Sequence, residues 1–152
     1  MPSTEFGMTE AVEQWRHHFE DLAPPAGLSP LAVMIWALRV DGRWQHDNPE
    51  LSQIIYEWQA CHSVGELKHP RIAFYETLED LGLIDLEYCT AEEMHQALCG
   101  LASQLHRHWR VHGYPRNWMA TYTNFVLRAC GTAEQQRIDA YLELDDLPPA
   151  AG

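Results

Sequence analysis

Lysine is nearly missing from this chain. Lys68 stands alone beside nine arginines, against 22 acids, so the formal net charge is −12 with histidines neutral. Non-specific binding to DNA, RNA or an anionic membrane works through neutralisation of phosphates by Lys and Arg. So negative a molecule is not expected to bind nucleic acid directly or to attach to a membrane. A basic protein surface is its electrostatically favoured partner. Long apolar runs are missing too. The longest, Leu31 to Leu38, has eight residues, well short of the ~18 that a membrane span requires.

Paired cysteine motifs are also absent. Cys61, Cys89, Cys99 and Cys130 contain no CxxC, the spacing that zinc and redox sites favour. The N-terminal stretch carries Glu5, Glu10 and Glu13 and no apolar leader segment, so the expected setting is cytoplasmic with reduced thiols. There is no GxSxG, no phosphate-binding glycine loop and no dinucleotide fingerprint. Cys61-His62 are sequence neighbours, which does not set up a thiolate–imidazole pair. The reading therefore leans away from an enzyme.

Hydrophobic residues make up 46% and charged residues 21%, the balance of a globular chain, and 152 residues fit one domain over 1–152. A chain of that length buries roughly 70% of its unfolded surface, so folding requires neither a disulfide nor a metal. Apolar residues recur at intervals of three and four, which predicts helices. Met8, Val12, Trp15, Phe19 and Leu22 form a first stripe, broken by Ala23-Pro24-Pro25-Ala26-Gly27. Ser29-Pro30 reads as N-cap and first residue of a helix. Its segment Leu31 to Leu38 is apolar on every side, hence central, and Asp41-Gly42 reads as its end.

Asn48-Pro49 opens another helix, with Leu51, Ile54, Ile55 and Trp58 inward, and 62–69 reads as a loop. Pro70 starts a helix with Ile72, Phe74, Tyr75, Leu78 and Leu81 apolar and Gly82 at its close. Ile84, Leu86 and Tyr88 alternate with Asp85 and Glu87, a weak strand signal. Thr90 and Glu93 spell a capping box for a helix reaching about His112, with Gly113 beyond it; Thr132 and Gln135 spell a second box. Two more stripes follow, one with Trp118, Tyr122, Phe125, Val126 and Ala129, the other with Ile138, Tyr141 and Leu142. The tail from about 145 reads as frayed. The expected fold class is all-α, a single-domain bundle of six to seven helices around the central apolar helix.

Charge is sorted along the chain. Seven acids and no base fall between Glu76 and Glu93: Glu76, Glu79, Asp80, Asp85, Glu87, Glu92 and Glu93. One helix length later the sign reverses in His106-Arg107-His108-Trp109-Arg110-Val111-His112, followed by Tyr114, Arg116 and Trp118. One expectation is internal docking of the basic segment on the acidic one, which raises the pKa values of His106, His108 and His112. The other is a free acidic face that imitates a phosphate backbone, with aromatics at Tyr114 to Trp118 as apolar anchors. Asp139, Glu143, Asp145 and Asp146 form a smaller negative cluster.

Metal binding is the alternative. In the helix from Ala91 to His112, His95 and Cys99 lie one turn apart, and imidazole with thiolate suits zinc or another transition metal. His106 is about 10 Å from Cys99 along the axis, so one ion cannot take all three. His108 and His112, at i and i+4, can hold a metal from one face, but no Glu follows His108 as zinc proteases require. Glu92-x-x-His95 is half of a di-iron pattern; the other copy, Glu66-x-x-His69, falls in a predicted loop.

The leading expectation is a non-enzymatic acidic factor of inhibitor, antagonist or immunity type. It docks Glu76, Glu79, Asp80, Asp85, Glu87 and Glu92, with Tyr114, Arg116 and Trp118, onto a basic surface of a partner protein, and needs no cofactor. The alternative is a helical metal- or cofactor-binding protein using His95, Cys99, His108 and His112, or an accessory subunit of an enzyme.

Overall fold

The computed structural model describes the backbone of residues 4–20, 22–61 and 70–146 and the side chains of 7–18, 22–58 and 71–146. Phe19, Cys61-His62, the expected loop 62–69 with its Glu66-x-x-His69 motif, and the tail beyond 146 lie outside the described side chains. Among the described residues there are seven helices and no strand: α1 Thr4–Glu20, α2 Pro30–Asp47, α3 Pro49–Cys61, α4 Pro70–Asp80, α5 Ala91–His112, α6 Trp118–Ala129 and α7 Glu134–Asp145. The chain is an all-α bundle.

Helix α2 is its axis, touching α3, α5, α6 and α7. Ser29 caps it as the sequence implied, its side chain accepting from the Ala32 N–H at 3.4 Å. Glu143 of α7 then accepts from both the Ser29 N–H and its hydroxyl, the latter at 2.6 Å. That carboxylate also faces the positive end of the α2 dipole. Ala32 and Ile35 are fully buried, and Leu31, Met34 and Leu38 nearly so.

Contrary to expectation, α2 does not end at Asp41-Gly42 but continues a further turn and a half to Asp47. Gly42 is a contact glycine, not a terminator. A Cβ there would meet two ring carbons of Tyr122 at 3.0 Å. The missing side chain lets α6 cross close to α2. Asp41 stays in the helix because it is buried in an ion pair with Arg71 of α4. The helix stops at Asn48, whose N–H and side-chain amide both donate to the Trp44 carbonyl.

Helix α1 packs on α3. Ala11, Trp44 and Ile55 form a small second core there, flanked by Val12, Trp15, Leu51 and Ile54. Leu22 falls outside α1 and is exposed. Helix α4 closes in a Schellman turn, with Leu83 N–H on the Leu78 carbonyl and Gly82 N–H on that of Glu79. Gly82 holds φ +70°, which favours glycine.

The strand signal at 84–88 is a loop. Asp85 N–H donates to the Cys130 carbonyl at 2.8 Å, which turns Ile84 and Leu86 into the core and Tyr88 into solvent. Leu81, expected inside, is exposed past the end of α4. The capping box at Thr90 and Glu93 forms in full. On α5 the buried face is shifted from the expected stripe: His95, Ala102 and His106 join Met94, Leu98 and Trp109, while Leu101 and Leu105 are half-buried.

The second capping box does not form. Gly131 and Thr132 N–H groups close α6 on the Arg128 and Leu127 carbonyls, which turns Thr132 inward, and Ala133 becomes the N-cap of α7. Gln135 donates instead to Asp139. Helix α7 packs on α2 through Ala140 and Leu144, leaving the expected core residues Ile138 and Leu142 exposed.

Candidate functional site

The acids between 76 and 93 occupy one corner. They sit on the last turn and a half of α4, on the ten-residue connection 81–90 and on the first turn of α5. All are exposed except Glu92, which is half-buried. Among the described residues none of the seven forms an ion pair with a base.

Some have local structural uses. Glu92 and Glu93 lie in the first turn of α5, where the dipole favours acids, and Glu93 completes the capping box. Asp85 accepts from the Glu87 N–H. Glu76, Glu79 and Asp80 have none. Glu79 and Asp80 lie in the last turn of α4, which has no base, and there the dipole opposes negative charge. Glu76 and Asp80 are also a like-charge pair at i, i+4, which destabilises a helix. Two large apolar side chains stand among these acids: Leu81 at 55% exposure and Tyr88 at 90%.

Internal docking of the basic segment does not occur. Helix α5 runs 22 residues, and at ~1.5 Å per residue its acidic start and basic end are held about 20 Å apart or more. Arg107, His108, His112 and Arg116 are exposed at the far end, and Arg110 reaches the Pro49 carbonyl. His106 is fully buried instead, its Nδ1 2.7 Å from the Tyr114 hydroxyl. The rings of Trp109, Tyr114, Trp118 and Tyr122 surround it at 5.6–5.8 Å between centroids. Burial, then Arg110 and His46, pushes its pKa down to about 4, the opposite of the expected rise. Tyr114 and Trp118 are thereby half-buried and packed on His46, while Arg116 stays exposed.

The metal candidates separate into two pairs. Cys99 Sγ lies 3.7 Å from His95 Nε2, in the interior, and burial pushes the Cys99 thiol up to about 12. Without a metal the protonated thiol is the favoured form there. His108 and His112 lie on the surface with ring centroids 4.5 Å apart. Among the described residues no three His, Cys, Asp or Glu side chains come together to hold an ion. Nor is any helix long and apolar enough to cross a membrane.

No family model, curated protein or solved structure matches this chain. Two polar features were missed in the sequence, Asp41 with Arg71 and Gln45 with Ser52. A signal existed for three of these four residues. Asp41 and Gln45 continue the spacing of Leu31, Ile35 and Leu38, and Arg71 is in phase with Tyr75 and Leu78. A polar residue in register with a core stripe marks a buried partner.

Proposed function

We propose that this protein acts by docking its α4–α5 corner onto a basic surface of another protein, as an inhibitor, antagonist or immunity-type factor. The observation that carries this reading is the placement of Glu76, Glu79 and Asp80. These acids stand exposed, without an ion-pair partner among the described residues, and Glu79 and Asp80 sit in the last turn of the helix, whose field opposes them. Stability alone favours Lys or Arg at those positions. Residues kept at a cost to the fold are typical of recognition.

Tyr88 and Leu81 take the anchor role first assigned to Tyr114 and Trp118. An exposed aromatic ringed by charge suits the centre of an interface. Carboxylates along a rigid helix end also match what a nucleic-acid-binding groove receives from phosphates, so such a groove is the favoured partner surface. Long-range attraction from a net charge of −12 mainly raises the association rate. The reading places the encounter in the cytoplasm, where the thiols remain reduced.

The test is affinity capture with the full chain at rising salt, followed by association kinetics on the captured protein. The expected partner is basic, and its association rate falls about tenfold or more between 50 and 300 mM salt. A partner whose association rate ignores salt overturns charge-led docking.

A further inference from the structure

An open groove of about 630 Å³ runs along α6 and reaches the start of α7. None of its lining residues belongs to the acidic corner. Asn117, Thr121, Asn124 and Arg128 line it at intervals of four, three and four, so they form one stripe about 16 Å long on α6. Arg137, near the start of α7, adds a second guanidinium. The Phe125 ring, 52% exposed, stands about one turn before Arg128.

Charge decides what the groove takes. The chain has 22 acids against ten bases, yet among the described residues the groove is lined by two arginines and no acid. Neither arginine has an ion-pair partner among the described residues, and Arg137 Nε is buried without a hydrogen-bond partner there. Asp85, beside Gly131 just past Arg128, turns its carboxylate to the Glu87 N–H. Both arginines stand near the α6–α7 turn, so uncompensated positive charge gathers at one end of the groove. The net charge of −12 repels anions at long range. At physiological ionic strength such forces fade beyond roughly 8 Å, so the two guanidiniums govern the groove.

We infer that the groove binds a small ligand with a phosphate at one end and a planar ring at the other, the chemistry of a nucleoside monophosphate. A phosphate monoester carries close to two negative charges at neutral pH, which two guanidiniums match, and its oxygens suit the planar fork of arginine. A carboxylate, with one charge, would leave one guanidinium unmatched. The ring follows from Phe125. A side chain so exposed beside the arginines offers a face for stacking, and every base has a face to stack. Beyond it Asn124, Thr121 and Asn117 offer amide and hydroxyl groups, which both donate and accept, to a ring edge. The volume agrees, since small-molecule sites run to ~300–1,000 Å³.

The probe is adenosine monophosphate, titrated into the full-length protein and followed by backbone and side-chain NMR shifts. Saturation is expected below about 1 mM, with shifts centred on Thr121, Asn124, Phe125, Arg128 and Arg137. Arg128→Gln and, separately, Phe125→Ala change exposed side chains, so both variants should fold as the parent does. The first should weaken binding at least about tenfold and the second at least about fivefold. Adenosine and inorganic phosphate, each one half of the probe, should bind at least about tenfold more weakly. Shifts that never saturate, binding unchanged in Arg128→Gln, or adenosine binding as tightly as the nucleotide overturn the anion site. Phosphate binding as tightly as the nucleotide, or no loss in Phe125→Ala, overturns the planar ring. A tetraglutamate peptide that binds more tightly than the nucleotide reassigns the groove to acidic chains and overturns the small-ligand class.

Discussion

His106 shows how far one residue's setting can reverse its chemistry. In the sequence it belongs to a basic cluster, yet it is fully buried among aromatic rings with its pKa lowered to about 4. The folded value lies below the unfolded ~6.5, so the unfolded chain takes up the extra proton first. The stabilisation is fully present above ~6.5 and is lost as pH falls toward 4, by up to about 1.4 kcal/mol per pH unit. Urea unfolding between pH 4.5 and 7 should show that slope, and His106→Phe should flatten it. A wild-type curve flat over this range would refute the burial argument. Arg71 offers a second check. Removing it leaves Asp41 buried without its counter-ion, so Arg71→Ala should lose about 3–5 kcal/mol by the same method.

Several residues whose environment the sequence misjudged have long-range partners. The Thr90–Glu93 box, the Ser29 cap and the Gly82 turn were legible because their partners lie within five residues. Asp41 finds its partner 30 residues away, and Asp85 is anchored at Cys130. No local pattern encodes such distances.

At the scale of elements, glycine separates two situations. Gly100 lies in α5 with open space where a Cβ would sit. Gly100→Ala should therefore stabilise the protein by up to about 1 kcal/mol through helix propensity. Gly42 lies in α2, also helical, but a Cβ there presses on the buried Tyr122 ring at 3.0 Å. Gly42→Ala should destabilise by about 1–3 kcal/mol, since a packed ring cannot yield. Thermal melts of the two variants moving in the same direction would contradict the close α2–α6 crossing. The crossing also explains why Asp41-Gly42 resembled a helix end. Glycine stops helices through backbone freedom but admits neighbours through its missing side chain, and sequence spells both alike. Helices α6 and α7 lie where the apolar spacing predicts, but Phe125 of α6 and Ile138 and Leu142 of α7, read as stripe residues, are exposed.

For the whole molecule, polarity is the organising property. The rigid span of α5 keeps the carboxylate-rich α4–α5 corner away from the arginine- and histidine-bearing end, so neither neutralises the other. The charge reversal was readable from spacing, but spacing left internal docking open, and the free acidic corner follows only from the continuous span of α5. The smaller acidic cluster on α7 is different. Glu143 binds Ser29 and Asp145 pairs with Arg39 at 3.9 Å, so part of it serves the fold.

The α4 end and its acids carry the account. The decisive measurement joins stability with binding in one variant, Glu79→Lys with Asp80→Lys. Reversing both charges should raise the melting temperature, by up to about 1 kcal/mol of stabilisation per site, as the helix dipole is now complemented. The same variant should lose capture of the basic partner at low salt. A variant that melts lower, or that still captures the partner as well as the parent chain, would contradict the claim that these carboxylates serve recognition.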